Sequence, residues 1–222
     1  MRLNKFIGET GLCSRREADE LIAAGRVTLD GAVAVAGAKW VEGMAVCVDG
    51  KEIRRKPAAK NRRRHVYIAL NKPVGITCTT DTADASNIVD FIDHQERIFP
   101  IGRLDKDSEG LILLTSNGDI VNRILRAENN HEKEYLVGVN KPVTAEFLRT
   151  MARGVHIHRQ LTKPCKVSKL AKYGFRITLT QGLNRQIRLM SEALGYKAVQ
   201  LRRVQIINVK LGTLKPGAWR KL

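Results

Sequence analysis

The chain has 222 residues, of which 43% are hydrophobic and 27% are charged, and this length and balance allow a sizeable folded core. No apolar run approaches the roughly 20 residues that a membrane-spanning helix needs, which argues against an integral membrane protein. Lysine and arginine number 39 against 22 acidic residues, a net charge of +17 that favours polyanionic partners, nucleic acid first among them.

The N-terminus and the cysteines indicate where the protein works. The opening residues, MRLNKFIGETG, contain no apolar stretch of the kind found in secretory signals, so we expect a cytoplasmic protein without a membrane partner. The four cysteines are far apart and form no CxxC pair, which favours reduced thiols over a zinc site.

Residues 1–53 are predicted to form a small separate domain of two short helices followed by short strands. The second helix begins with a capping box from Ser14 to Glu17 and ends at Gly25. Hairpin turns are predicted in the small sheet that follows, at Asp30-Gly31 and Asp49-Gly50.

Three basic residues are predicted to share one face of these helices, namely Lys5, Arg15 and Arg16. Such a face suits contacts to phosphate, although an ordinary solvated face has the same composition. The segment RLNKFIGETGLCSRREADELIAAGRVTLDG resembles the alpha-L RNA-binding motif of a small-subunit ribosomal protein and of tyrosyl-tRNA synthetases. The resemblance implies that the paired helices bind RNA.

Residues 54–64 read RRKPAAKNRRR, with seven basic residues and no acid. This composition cannot bury a core, so we predict a mobile basic linker between two domains. Such a linker suits RNA, but plain solvation or a localisation signal gives the same pattern.

Residues 65–222 alternate predicted strands with predicted helices. Strands are predicted in HVYIALNKP, GLILLT, KEYLVGVN, GFRITLTQG and YKAVQLRRVQI. Helices are predicted in SNIVDFIDH, in DIVNRILRA, in TAEFLRTMARG with Thr144 as its cap and in NRQIRLMSEALG with Asn184 as its cap. Because strands outnumber helices and short turns join several of them, we expect an α+β domain with a mixed or antiparallel sheet.

The segment FPIGRLDKDSEGLILLTSNGD, residues 99–119, places acidic side chains in a loop between two apolar strands. A loop that rigid strands hold at both ends suits catalysis, whereas the same acids in a generic loop indicate a polar turn or a weak cation site. Arg103 precedes Asp105 by two residues and is a candidate for substrate binding.

The motif GRLDKDSEGLILLT resembles the central motif of the RNA pseudouridine synthases, and the whole chain resembles the RsuA/RluB/RluE/RluF family within them. The resemblance implies a small N-terminal alpha-L RNA-binding domain, followed along the chain by an α+β pseudouridine synthase catalytic domain. It also implies that Asp105 is the catalytic carboxylate, while Asp107 and Glu109 shape the loop.

Further motifs of the same resemblance supply partners for Asp105. KEY ends at Tyr135, which is expected to pack on the target base and to take part in removing its proton. In QGLNRQIRLM the resemblance places Arg188 against the catalytic carboxylate, with Arg185 as the second choice or as a phosphate contact. Leu201 resembles the apolar contact beneath the base, a role compatible with that of an ordinary core leucine.

Two other motifs have weaker meanings. KPVG, residues 72–75, recurs in the family, and we interpret Lys72 as an RNA contact and Gly75 as a turn residue. His156 and His158 are predicted to face the same side of a strand, but no third metal ligand lies near them in the sequence. We therefore expect no metal site.

The predicted reaction breaks the bond between a uracil and its ribose, turns the base over and rejoins it through carbon. It needs no cofactor, and either covalent attack by Asp105 or removal of a ribose proton satisfies the chemistry. The resemblance favours large-subunit ribosomal RNA as the substrate, with a transfer RNA anticodon arm second. We expect the enzyme to be a monomer.

Other classes of function compete with this one. A non-catalytic RNA-binding or ribosome-assembly protein would have the same charge and would not need Asp105. A base deaminase is excluded because Pro164-Cys165 lacks the second cysteine of PCxxC. The neighbouring carboxylates also fit a two-carboxylate glycosidase, but the net charge argues against neutral sugars as the main substrate.

Overall fold

A computed structural model describes residues 1–54, 65–125 and 130–222, with the side chain of residue 122 left out. The chain divides into two compact units, Met1–Arg64 and His65–Leu222. Apart from Arg54, which pairs with Glu52, the predicted basic linker at 54–64 lies outside the described residues. Among the described helices none is both long and apolar enough to cross a membrane.

The N-terminal unit packs two helices on a small antiparallel sheet with the strand order β2-β1-β3-β4. Its elements are α1 (Leu3–Thr10), α2 (Arg15–Ala23), β1 (Val27–Leu29), β2 (Ala32–Val33), β3 (Val46–Val48) and β4 (Lys51–Ile53). The predicted capping box is confirmed, since the Ser14 hydroxyl accepts from the Glu17 N–H and the Glu17 carboxylate accepts from the Ser14 N–H. Both predicted hairpin turns are confirmed, because Asp30-Gly31 and Asp49-Gly50 join paired strands at positive φ.

The described part of the C-terminal unit contains four helices and eleven strands. Its helices are α3 (Ile88–Ile92), α4 (Gly118–Leu125), α5 (Ala145–Arg153) and α6 (Gln186–Ala193). Its longer strands are β5 (Tyr67–Lys72), β7 (Glu109–Thr115), β8 (Lys133–Val139), β11 (Lys166–Ala171), β12 (Gly174–Leu179) and β13 (Ala198–Ile206). Its shorter strands are β6 (Phe99–Ile101), β9 (His156–Ile157), β10 (Gln160–Leu161), β14 (Val209–Lys210) and β15 (Trp219–Lys221).

Nine of these strands form one sheet with the central order β11-β12-β8-β13-β7-β5-β15, while β14 pairs with β13 and β6 pairs with β7. β7 and β13 run parallel, and the other described pairs are antiparallel, so the predicted α+β fold with a mixed sheet is confirmed. Gly110 allows the parallel pair to approach closely, because a Cβ there would lie 2.3 Å from the Arg203 carbonyl oxygen.

Helices cover both faces of the large sheet. The larger core lies on the face of α3, α5 and α6, where Ile88, Phe147, Met151 and Met190 are buried against strand residues. The smaller core lies on the other face, where side chains of α4 pack against buried residues of β5 and β7. The sheet is therefore a rigid support for the loops at its strand ends.

Two local predictions are wrong. The N-cap of α6 is Arg185 in the left-handed conformation, with φ 48° and no side-chain cap, so Asn184 does not cap the helix. His156 and His158 do not share a strand face, because β9 ends at Ile157 and His158 begins a left-handed turn. Thr144 does cap α5, as predicted, by accepting a hydrogen bond from the Phe147 N–H.

Candidate active site

Asp105 lies in the loop between β6 and β7, where backbone contacts fix its position. The Ser108 N–H donates to the Asp105 carbonyl at 3.0 Å, and the Leu104 N–H donates to Cys78 Sγ at 3.4 Å. The Gly75 N–H, in a turn at φ +93°, donates to the Lys106 carbonyl at 2.8 Å. The Asp105 side chain is 34% exposed, so it is accessible to a substrate although its loop is held in place.

Arg188, predicted as the partner of Asp105, reaches the loop from α6 and is buried. Its Nη1 donates to the Ala198 carbonyl at 2.9 Å, and its Nη2 donates to the Asp107 carbonyl and Ser108 Oγ, both at 3.0 Å. Its Nε makes no hydrogen bond within the described chain and lies 4.0 Å from Asp105 Oδ2. The backbone thus fixes the guanidinium while one donor remains near the carboxylate.

Arg185 approaches the same carboxylates from the start of α6. Its Nη1 lies 3.9 Å from Asp105 Oδ2 and 3.6 Å from Asp107 Oδ2, and about half of its side chain is exposed. Arg188 Nη2 lies 3.3 Å from Asp107 Oδ2, so Asp107 is closer to both arginines than Asp105 is. Asp105, Asp107, Arg185 and Arg188 form what we call the carboxylate–arginine cluster.

The position of Lys72 does not fit its predicted role as an RNA contact. Its side chain is completely buried, and its ammonium donates to the carbonyls of Pro73 at 2.8 Å and Ile76 at 2.9 Å. Burial lowers the pKa of Lys72, an effect that the charges of Asp105 and Asp107 oppose. Because Gly75 in the same turn bonds to the Asp105 loop, Lys72 supports that loop from inside the protein.

Tyr135 and Leu201 lie on one face of adjacent strands. Tyr135 on β8 and Leu201 on β13 are 9% and 7% exposed, and both belong to the buried cluster that contains Leu104. In the antiparallel pairing of β8 with β13, Tyr135 is opposite Arg203 and Leu201 is opposite Val137. The structure thus brings the predicted tyrosine and leucine into the core that borders the Asp105 loop.

The sequence prediction missed Arg203, which is 4% exposed. Its Nε donates to the Leu111 carbonyl at 2.7 Å, its Nη1 donates to the Arg103 carbonyl at 3.3 Å and its Cζ lies 5.9 Å from the centre of the Tyr135 ring. One signal could have revealed it, because Arg203 follows Leu201 by two positions and therefore faces the same core.

The remaining predicted binding residues lie at the surface. The Arg103 side chain is exposed, and its carbonyl is the acceptor for Arg203. In the N-terminal unit Arg15 and Arg16 are exposed, and Lys5 is partly buried with its Nζ 3.5 Å from Glu9 Oε1. Within the described ranges no group of three or more His, Cys, Asp or Glu side chains is arranged to hold a metal ion.

Comparison with known proteins assigns the chain to a family. The family profile described as RNA pseudouridylate synthase matches residues 66–193, and that of the S4 domain matches residues 1–37. The chain belongs to the RNA pseudouridine synthases. It is 56% identical over 221 residues to the dual-specificity RNA pseudouridine synthase RluF of Salmonella typhi, a match that covers 100% of this chain and 75% of that one.

Other RNA pseudouridine synthases match over nearly their whole length. Ribosomal large subunit pseudouridine synthase B of Bacillus subtilis is 33% identical over 230 residues, with 100% of this chain and 91% of that one covered. A solved structure, described as the crystal structure of pseudouridylate synthase, matches with a TM-score of 0.72 and 31% identity over 100% and 96% of the two chains. The predicted enzyme class is confirmed, and these relatives give no support to a non-catalytic RNA-binding protein.

The pseudouridine synthase profile covers most of the site. The carboxylate–arginine cluster, Lys72 and Tyr135 all lie within residues 66–193. Leu201 and Arg203 lie beyond that range, on β13. The S4 match falls on the helices for which RNA binding was predicted.

Proposed function

We propose that this pseudouridine synthase isomerises a uridine in structured ribosomal RNA, chiefly of the large subunit, and that a transfer RNA anticodon arm is a second substrate. The proposal is supported by the names of its relatives, one called dual-specific and another assigned to the large ribosomal subunit. The enzyme acts in the cytoplasm as a monomer and needs no cofactor.

The observation that carries the proposal is the pairing of an accessible carboxylate with a buried guanidinium. Asp105 is 34% exposed, whereas the Arg188 side chain, 4.0 Å away, is 8% exposed. The protein thus fixes a cation beside the carboxylate that would attack the ribose or remove a ribose proton. The 4.0 Å distance is expected to shorten when substrate binds, because catalytic contacts are often long in the free enzyme.

The target uridine must leave its base stack to reach Asp105, and single-stranded loops make this extrusion least costly. In our proposal, Leu201 and the ring of Tyr135 form the apolar surface against which the extruded base packs. Once the bond from base nitrogen to ribose has broken, the base rotates and its C5 bonds to the anomeric carbon. C5 then loses a proton, for which the Tyr135 hydroxyl is the proposed acceptor or relay, and the freed base nitrogen takes up a proton, so that the product is an isomer of the substrate.

Surface cations of both units bind the RNA backbone. Residues 1–53 serve as the RNA-binding domain, with Lys5, Arg15 and Arg16 as phosphate contacts. Residues 54–64 serve as a basic linker to the catalytic domain at 65–222. In the catalytic domain, Arg103 and Arg185 contact the backbone near the target, since both side chains are accessible.

The test compares wild type with Asp105→Asn, which keeps the shape of the side chain but removes its charge. Total ribosomal and transfer RNA are treated with each protein, and pseudouridine is mapped at single-nucleotide resolution. We expect a discrete site with wild type and no product with Asp105→Asn, although that variant still binds RNA. Asp107→Asn is the matched control in the same loop and should be slower without losing the product.

Either of two results contradicts the proposal. Equal products from wild type and Asp105→Asn would remove this carboxylate from the mechanism. The absence of product from wild type on every RNA would remove the proposed substrates, whatever the variants do.

A further inference from the structure

Arg203 is a buried cation that pairs with no carboxylate among the described residues. It is 4% exposed, and its contacts are two backbone carbonyls and one aromatic ring. Its Nη2 is buried and has no hydrogen-bond partner within the described chain. Burial of a charge is costly unless its interactions offset the lost hydration, so a guanidinium in this position requires an explanation.

The contacts of Arg203 connect three parts of the active site. The hydrogen bond to the Leu111 carbonyl, at 2.7 Å, ties the side chain to β7. The bond to the Arg103 carbonyl, at 3.3 Å, ties it to the loop two residues before Asp105. The guanidinium also lies 5.9 Å from the centre of the Tyr135 ring, within the range of a cation–π contact. A single side chain thus touches both the Asp105 loop and the tyrosine proposed to contact the base.

The backbone of β7 is shaped to admit this arrangement. Gly110 has φ +109°, and a Cβ at this position would lie 2.3 Å from the Arg203 carbonyl oxygen and 2.6 Å from its nitrogen. The two parallel strands therefore meet more closely than any side chain at position 110 would allow. Arg203 then lies directly beside Leu111, whose carbonyl receives its shortest hydrogen bond.

From these contacts we infer that Arg203 is a positioning residue that holds the Asp105 loop and the Tyr135 ring in a fixed relation. The inference rests on the proposed function, because it assigns the two held groups to the reaction. Arg203 acts through its neighbours, and no contact with the RNA is required. A guanidinium suits this role better than an ammonium, since its planar group of N–H donors, which we call the fork, can bond two carbonyls at fixed angles. The same planar group can also lie against the Tyr135 ring.

The inference is tested in the full chain with Arg203→Met and Arg203→Lys. The control is Arg202→Met, at the neighbouring position of the same strand, where the side chain is 39% exposed and its Nε lies 3.9 Å from Glu109 Oε1. Three quantities are measured for each protein. They are the single-turnover rate with enzyme in excess over RNA, the Kd for RNA, and hydrogen exchange of the backbone amides at residues 103–108.

Arg203→Met should lower the single-turnover rate by about 10- to 100-fold, because misplacement of reacting groups by about 1 Å has an effect of this size. Its Kd for RNA should stay within about twofold of wild type, since Arg203 is buried and does not reach the RNA. Arg203→Lys should recover part of the rate, because it keeps the cation but loses the fork. The amides at 103–108 should exchange faster in Arg203→Met than in Arg202→Met.

Several results would overturn the inference. One is a folded Arg203→Met that reacts at the wild-type rate. Another is a loss of rate in Arg203→Met that is matched by an equal loss of RNA affinity. A third is a loss of rate in Arg202→Met as large as that in Arg203→Met. If Arg203→Met does not fold, a folded Arg203→Lys with full rate would contradict the role of the fork.

Hydrogen exchange separates this inference from the proposed function. If wild type makes no product but exchange at 103–108 increases in Arg203→Met alone, the proposed function fails while the structural role of Arg203 stands. If wild type makes product and exchange is the same in all variants, the inference fails while the function stands.

Discussion

The two units of the chain use positive charge in opposite ways. In the N-terminal unit the cations of the predicted RNA-binding face lie at the surface, with Arg15 and Arg16 exposed. Among the described residues of the C-terminal unit, Lys72, Arg188 and Arg203 are buried beside the active site. Surface cations attract a polyanion through solvent and are screened by salt, whereas buried cations fix the positions of the groups that they bond.

This difference shows that the net charge of +17 has more than one purpose. Loss of a buried cation should change the rate or the stability by a large amount that salt does not affect. Loss of a surface cation should change RNA affinity by a small amount that depends strongly on salt.

The largest effect is expected for Arg188→Met. Removal of the buried guanidinium leaves Asp105 with only the half-exposed Arg185 as a cation and should lower the single-turnover rate by about 10²- to 10³-fold. The loss should be the same at low and high salt, because the Arg188 guanidinium is buried. Arg185→Met, which removes a half-exposed partner of the same carboxylates, should cause a smaller loss. If the loss of rate in Arg188→Met disappears at high salt, the proposed difference between buried and surface cations is wrong.

A loss of stability is expected for Lys72→Met, because the substitution leaves the partly buried carbonyls of Pro73 and Ile76 without their donor. The cost should be about 1–3 kcal/mol in the free energy of unfolding, measured by urea titration. The control is Lys169→Met on the exposed edge strand β11, which should stay within about 0.5 kcal/mol of wild type. Equal costs for the two variants would show that the bonds of Lys72 contribute nothing.

The comparison of wild type with Lys72→Met also gives a test with pH. Burial lowers the pKa of Lys72 in the folded protein below its ordinary value of 10.5, so the unfolded chain binds more protons between those two values. The contribution of Lys72 to the free energy of unfolding therefore rises with pH as the pH approaches 10.5 from below. The difference in unfolding free energy between wild type and Lys72→Met should increase there. A difference that falls with pH would mean that the folded protein binds the proton more tightly.

The smallest effects are expected for the surface face of the N-terminal unit. Lys5→Gln, Arg15→Gln and Arg16→Gln should each weaken RNA binding a few-fold and reduce the slope of log K against log salt by about 1, if each contacts one phosphate. The single-turnover rate at saturating enzyme should not change. Lys51→Gln, on β4, is the control for a general loss of charge. If that control weakens binding equally, the face formed by α1 and α2 has no special role.

The sequence predicted the positions of the strands better than it predicted which polar residues are buried. Apolar alternation identified β5, β8, β12 and β13 because a strand buried on one or both faces needs that pattern. It could not predict that Asn71 and Lys72 continue the buried run of β5. A polar pair just before a proline has the pattern of a strand that is emerging into solvent. The strands β7 and β15 on either side of β5 reverse that expectation.

The residues of the candidate site could not be predicted from the local sequence pattern alone. Asp105 and Arg188 are separated by many residues, and the family resemblance, not periodicity, placed them together. The cap at Asn184 was predicted from residue type, but the chain enters α6 through a left-handed Arg185, a conformation that residue type alone does not indicate. Arg202 and Arg203 look alike in sequence, yet they face opposite sides of β13, one near Glu109 and one in the core.

The place of β13 in the large sheet determines when the enzyme can become active during its synthesis. β13 follows nearly all of the other strands along the chain, but it lies between β8 and β7 and joins the two halves of the sheet. The N-terminal unit leaves the ribosome first and contains every strand of its own sheet. The nascent protein can therefore fold its RNA-binding unit well before β13 arrives with Leu201 and Arg203 to complete the catalytic site.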